Sequence, residues 1–270
     1  MEIGVTIRNM GPQSSTRTLT ECAKAAESLN FESLWITDHI AIPPDDAQGS
    51  EGRYLDPLTT LAYLGGITST IKLGTGVIIL PYRAPLPMAK QVATVQELTG
   101  ERLLLGVGIG WMHAEFKALG IQRRERGAVS DATLEFLNRC FADEVVQANG
   151  QEFLFRPQPT KPPVYVGGAA PHALRRAARL ADGWLPMGLE PSALATAIAT
   201  YREIAQELDR PEGRVTLMRG LPLADPGRCQ DLIGQYAELG IERLVAALRY
   251  DTSAQHIDQL ESLSRIRPGQ

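Results

Sequence analysis

The sequence predicts an α/β protein of the (β/α)₈ TIM-barrel class, a single domain over residues 1–270 with a hairpin inserted between the fourth and fifth strands. Three observations lead there. Strand-like and helix-like segments alternate about eight times, the number of units such a barrel needs. The strands are near-continuous apolar runs, as expected when both faces of a parallel sheet are covered. No linker or low-complexity stretch divides the 270 residues, a length at which a doubly wound sheet would use fewer strands and split into two domains.

Each element follows from its residues. "EIGVTI" (2–7) reads as the first strand. In the helix after it, Leu19, Cys22, Ala23, Ala26 and Leu29 fall at helical spacing, with Ser14 or Ser15 as cap. "SLWITD" (33–38) is the second strand and Asp56–Ser69 the next helix; "IKLGTGVIIL" (71–80) is the third strand, before a helix through 88–100 that Gly100 stops. "RLLLGVGI" is the fourth strand, followed by a helix around Asp131–Phe141 with Leu134, Leu137 and Phe141 on one face. "VVQANGQEFLF" reads as the inserted hairpin, because Asn149-Gly150 suits a type I′ turn. "PVYVGG", "DGWLP", "RVTLMRG" and "ERLVAAL" supply the last four strands, with helices at 171–181, 191–208, 226–239 and 253–266.

Composition narrows the function classes. Hydrophobic content of 44% and a net charge of −4 fit an ordinary globular protein and argue against a nucleic-acid or anionic-membrane surface, which needs basic charge. No apolar stretch is long enough to span a bilayer. "MEIGVTI" enters a strand directly, so no signal peptide is expected. Cys22, Cys140 and Cys229 sit at apolar helix positions and are expected as buried free thiols in a reducing cytoplasm, none of them catalytic.

In a parallel barrel the chemistry gathers where strands end. "GVGIGW" (106–111) ends the fourth strand. A Rossmann fingerprint needs G-x-G-x-x-G, but the third glycine position is Trp111 or His113, so a dinucleotide-binding Rossmann fold is rejected. The glycines either admit the backbone close to a flat ligand, with Trp111 as an adjacent apolar wall, or allow tight packing at the rim. Gly167 and Gly168 end the next strand ahead of Pro171, and the helix N-terminus there is either a phosphate site or an ordinary turn. Arg175, Arg176 and Arg179 read as a solvated face, with phosphate or acidic-tail binding as a lesser reading for the first two. Asp38 and His39 are adjacent at a strand end and point to opposite sides, so one metal cannot easily take both. With four histidines and no H-x-H or H-E-x-x-H spacing, no metal site is expected, and no G-x-S-x-G nucleophile elbow is present. His39 is the natural acid or base of the pair; the bland alternative has Asp38 capping a loop while His39 packs.

"LWITDH", "LGTGV", "RLLLGVGIGW…EF…LG", "RERGA…D" and "PPVYVGG…RRAARLADGW" occur in this order across roughly residues 2–190. Together they resemble the bacterial luciferase-like family of flavin and deazaflavin oxidoreductases, and most of all its members dependent on coenzyme F420. The resemblance implies a cofactor site made of Thr75, Gly76, Val77, Gly108, Ile109, Trp111, Gly167, Gly168 and Ala169. A non-prolyl cis peptide at Gly76-Val77 would support the ring, and the amides of Gly167, Gly168 and Ala169 would meet the phosphate. Asp38 and His39 would lie beside the ring, with His39 taking a hydroxyl proton as hydride leaves the adjacent carbon and Asp38 orienting the imidazole.

Two departures from the family pattern bear on activity. Trp111 stands where some deazaflavin dehydrogenases carry a glutamate, which leaves that acid role vacant and argues against a sugar-phosphate substrate. Ile109 stands where FMN monooxygenases often place a basic residue, which weakens an FMN phosphate site. The leading expectation is an F420-dependent oxidoreductase acting on a small molecule. An FMN-dependent monooxygenase, needing a flavin reductase partner and dioxygen, is second, and a non-catalytic flavin-binding barrel is third. A homodimer is compatible with each.

Overall fold

A computed structural model describes residues 1–266, so 267–270 of the expected domain lie outside the described residues. The strands are β1 (Glu2–Thr6), β2 (Ser33–Ile36), β3 (Lys72–Thr75), β4 (Ile78–Ile79), β5 (Leu103–Gly108), β6 (Val145–Ala148), β7 (Gln151–Leu154), β8 (Val164–Gly167), β9 (Gly183–Leu185), β10 (Arg214–Arg219) and β11 (Arg243–Ala246). The sheet order is β3-β2-β1-β11-β10-β9-β8-β5-β4, and Leu73 of β3 pairs with Leu103 of β5 to close the ring. β4 is the short continuation of β3, so the closed barrel has the eight parallel staves expected from the alternation. β6 and β7 form a separate antiparallel hairpin outside it, turned by Asn149 (φ 51°) and Gly150 (φ 80°), the two left-handed residues of a type I′ turn.

Helices cover the barrel: α1 (Thr16–Ser28), α2 (Pro57–Ile67), α3 (Pro85–Leu98), α4 (His113–Ala118), α5 (Arg126–Ala142), α6 (His172–Leu180), α7 (Pro191–Glu207), α8 (Pro226–Glu238) and α9 (Ser253–Ile266). The caps are local in the sequence. Ser15 accepts the Thr18 N–H, Asp56 that of Thr59 and Asp225 that of Arg228. Gly100 follows α3 at φ 65°, returning its N–H to Glu97. Two boundaries depart from expectation. The third strand breaks at Gly76-Val77, and the six-residue α4 stands where no helix was expected. No helix among the described residues is long and apolar enough to cross a membrane.

The core has two shells. Between strands and helices lies a continuous aliphatic layer that includes Leu34, Leu73, Leu105, Val164 and Leu244 together with Cys22, Cys140 and Cys229, which are buried and free. Burial pushes the thiols of Cys22 and Cys140 up to about 11, so both stay protonated. Inside the barrel, Trp35 packs with Tyr165, Leu104, Leu185, Met218 and Val245. A Cβ on Gly74 would come within 2.4 Å of the Trp35 ring, so this glycine makes room for the indole. Below them Arg243, 2% exposed, donates to both oxygens of Glu32 at 2.6 and 2.8 Å and to Thr216. Its charge is paired where no water reaches it.

His256 of α9 is fully buried against Tyr250, with Nε2 3.1 Å from the Thr6 carbonyl. Burial lowers its pKa to about 4, against the hydrogen bond to Thr6, which acts the other way. The unfolded chain therefore takes up a proton near pH 6.5 that the folded chain refuses until about pH 4, so stability is lost as pH falls through that window. Unfolding free energy should drop by about 2 kcal/mol between pH 7.5 and pH 5, before the carboxylates titrate. Urea unfolding across that range checks it; an unchanged midpoint would refute a neutral His256.

Candidate active site

The loop after β2 is pinned from below. Asn9, buried at the end of β1, donates to the carbonyls of Thr37 (2.8 Å) and Leu55 (2.9 Å) and accepts the Thr37 N–H (3.0 Å). Thr37 fixes the two residues after it. The carboxylate of Asp38, with 1% of its side chain exposed, accepts the Ile79 N–H at 2.8 Å and a two-pronged contact from Arg83 at 2.6 and 2.9 Å. Arg83 also reaches Asp56, the cap of α2, at 3.0 Å. Burial raises the Asp56 pKa, but the Thr59 and Arg83 hydrogen bonds outweigh it and hold the carboxyl below its ordinary range. Asp38 thus ties the chain beyond the Gly76-Val77 break to the strand beside it.

The imidazole partner is a different carboxylate. His39 Nδ1 lies 3.0 Å from Glu115 Oε2, on α4, which also accepts the Tyr82 hydroxyl at 2.8 Å. Glu115 Oε1 accepts the N–H groups of Ile40 (2.6 Å) and Ala41 (3.1 Å). Burial raises the Glu115 pKa, yet those hydrogen bonds outweigh it and the group stays below the usual glutamate value, an anion at neutral pH. The expectation that Asp38 orients His39 is corrected: Arg83 and Ile79 engage Asp38, and Glu115 holds the ring. A carboxylate does reach this cleft four residues after Trp111, but both of its oxygens are taken by donors of the protein. The motif "EF" contained Glu115, but only the turn of α4 under the β2 loop brings it to His39.

His39, Gly76, Val77 and Trp111 line one cleft of about 230 Å³ with Asp38, Tyr82 and Glu115. The Gly76-Val77 peptide is cis, as the resemblance implied. His39 is 20% exposed in its side chain and meets Trp111 edge-on at 6.1 Å; Trp111 is 66% exposed, and Met187, 49% exposed, lines the cleft with it. Thr75, Gly108, Ile109 and Gly167 do not line this cleft. Thr75 is buried, its hydroxyl donating to the Gly106 carbonyl at 2.7 Å. A Cβ on Gly108 or Gly167 would come within 2.6 or 2.9 Å of the Val77 side chain, and one on Gly106 within 1.9 Å of the Thr75 carbonyl. Gly106, Gly108 and Gly167 leave no room for a side chain against Thr75 and Val77, while Gly110 of "GVGIGW" lines the cleft with Trp111.

Gly168 and Ala169 line a second cavity of about 440 Å³ with Trp184, Met187, Ala193 and Ala197, and Met187 borders both spaces. None of its lining residues is charged. Gly168 has φ 119°, and the Trp184 indole N–H donates to its carbonyl at 2.9 Å. Arg176 and Arg179 pair with Asp131, joining α6 to α5, and Arg175 is exposed. Arg176 is therefore held in a helix contact and turned from any anion at the helix start.

The profile described as "Luciferase-like monooxygenase" matches residues 1–241. The uncharacterized protein Rv0940c of Mycobacterium tuberculosis is 32% identical over 203 residues, 68% of this chain and 70% of its own. An F420-dependent secondary alcohol dehydrogenase in complex with an F420-acetone adduct superposes with a TM-score of 0.80 at 14% identity, covering 99% of this chain and 98% of that one. The oxygenating constituent of 3,6-diketocamphane monooxygenase of Pseudomonas putida, in complex with FMN, superposes at 0.79 and 15% identity over 98% and 97%. At such identities these two likenesses establish the fold.

The Asp38–Arg83 pair yields a stability prediction. Arg83→Met leaves a buried carboxylate with the Ile79 N–H alone, and should cost about 3–5 kcal/mol in urea unfolding. Asp38→Asn in the same chain should restore a substantial part. Two single losses that simply add would show that the residues do not act as a pair.

Proposed function

Because the chain belongs to the luciferase-like monooxygenase family, we propose that it is an oxidoreductase that passes a hydride between coenzyme F420 and a small organic substrate bearing a hydroxyl or carbonyl group. The observation that carries this reading is His39, whose ring lines the same cleft as the Gly76-Val77 wall. The residues present suit a flat ring: Gly76 and Val77 offer an apolar support, and Trp111 stands across the same cleft. Gly168 and Ala169 would hold the phosphate through backbone amides alone, since no cation lines their cavity. The deazaflavin, when bound, supplies a carbon that exchanges two electrons as hydride.

The protein's own work is then to position and to manage one proton. In the oxidative direction His39 Nε2 takes the substrate's hydroxyl proton as the C–H bond yields its electron pair. In the reductive direction His39 returns that proton to the carbonyl oxygen. Trp111 and Met187 give the mouth an apolar rim, which favours an uncharged substrate and keeps water from the reacting carbon. A second reading is an FMN-dependent monooxygenase with a reductase partner; the family description and the FMN-bound neighbour favour it.

Titrating the purified protein with F420 and with FMN, followed by absorbance and fluorescence, separates the two readings. Tight binding of F420 and bleaching of its colour by a secondary alcohol are expected; binding of FMN alone would overturn the first reading. His39→Asn should keep F420 affinity within a small factor and lower turnover by roughly 10²- to 10⁴-fold. Turnover within threefold of the parent would remove His39 from the proton path.

A further inference from the structure

Four donors converge on one carboxylate in this site: two are backbone amides, the third is the Tyr82 hydroxyl, which burial and Glu115 push well above its ordinary range so that it keeps its proton, and the fourth is the His39 ring. Glu115, with 1% of its side chain exposed, receives the Ile40 and Ala41 N–H groups on Oε1, and the Tyr82 hydroxyl and His39 Nδ1 on Oε2. An anionic carboxylate has no proton to give, so the 3.0 Å contact requires that Nδ1 carry the hydrogen. A neutral imidazole with hydrogen on Nδ1 has its lone pair on Nε2; this ring lines the cleft, and the hydrogen bond it makes among the described residues is through Nδ1.

We propose that Glu115 is the positioning residue of this site: it fixes His39 as the Nδ1–H tautomer and so makes Nε2 a proton acceptor facing the substrate. The proposal rests on the F420 reading only for its kinetic consequence. With all four of its donors in place, Glu115 is itself closed to substrate. The ring's other neighbours, Tyr54 at 4.9 Å and Trp111 at 6.1 Å between ring centres, contact it through their rings and fix neither nitrogen. Asp38 is engaged by Arg83 and Ile79.

Glu115→Gln separates orientation from anchoring. The amide oxygen can still accept from Ile40 and Ala41, while the amide NH₂ now faces Nδ1 and donates to it. The imidazole hydrogen must then move to Nε2, and the nitrogen facing the cleft becomes a donor that cannot take a proton. Nitrogen NMR of protein labelled at histidine reads this directly, with the His39 signals identified by their loss in His39→Asn. The parent should show a protonated Nδ1 and an unprotonated Nε2, and Glu115→Gln the reverse. Turnover in Glu115→Gln should fall roughly 10²- to 10⁴-fold, the scale of removing the base, with cofactor affinity unchanged. A parent with hydrogen on Nε2 would overturn the proposal whether or not the variant folds. So would an unchanged tautomer in the variant, or an inverted tautomer with full turnover. If the parent turns over no F420 substrate, that failure belongs to the proposed function, and the two NMR spectra still decide the role of Glu115.

Discussion

A carboxylate buried away from water must have its oxygens filled by donors, and satisfying Glu115 organises the mouth of this barrel. The donors come from two separate segments, the loop after β2 and the stretch after β4, and the carboxylate they meet is on α4. None of these is a regular strand, and loops at a barrel rim are ordinarily its most mobile part. Here a single charge ties them together, so His39, Tyr82 and the Ile40 backbone are held to one carboxylate. Burial and hydrogen bonding oppose each other at Glu115, and the hydrogen bonds prevail. The site therefore keeps a fixed negative charge beside a titratable ring.

A second carboxylate, Asp38, does similar work one layer lower. It joins the β2 end to the chain that follows the cis peptide, through the Ile79 amide and Arg83. Both acids line the same cleft, yet their tasks differ because their partners differ. Asp38 faces a permanent cation and becomes part of the scaffold. Glu115 faces the His39 ring nitrogen, two backbone amides and a phenol hydroxyl, so its charge acts on that nitrogen instead.

The wall opposite is shaped by packing. Trp35 fills the barrel interior, and Gly74 yields space to it. Val77 in turn sits against Gly108 and Gly167, so strand-end glycines on two neighbouring staves accommodate one side chain next to the cleft. Any ligand laid on Gly76 and Val77 would rest on a surface backed by the closed interior of the barrel, which resists deformation because it is close-packed.

How much of this could be read from the sequence follows from the range of the forces. Apolar periodicity, the Ser15 and Asp56 caps, the Gly100 stop and the Asn149-Gly150 turn are settled within a few residues, so they declare the barrel and its outside hairpin unaided. The motif order placed Asp38, His39, Gly76, Val77 and Trp111 at one mouth, and one cleft does gather them. What adjacency in sequence could not decide was which charge meets which. Asp38 is the neighbour of His39 along the chain, but both lie in the loop past β2, where Ile79 and Arg83 take the Asp38 carboxylate. Glu115, 76 positions later, becomes the neighbour in space because α4 is folded under the β2 loop. The same holds for the glycines: their spacing is local, but whether a ligand or Val77 occupies the space above them depends on the closure of the barrel. Local propensity fixes the elements; the desolvation of a charge, which depends on everything packed around it, fixes the site.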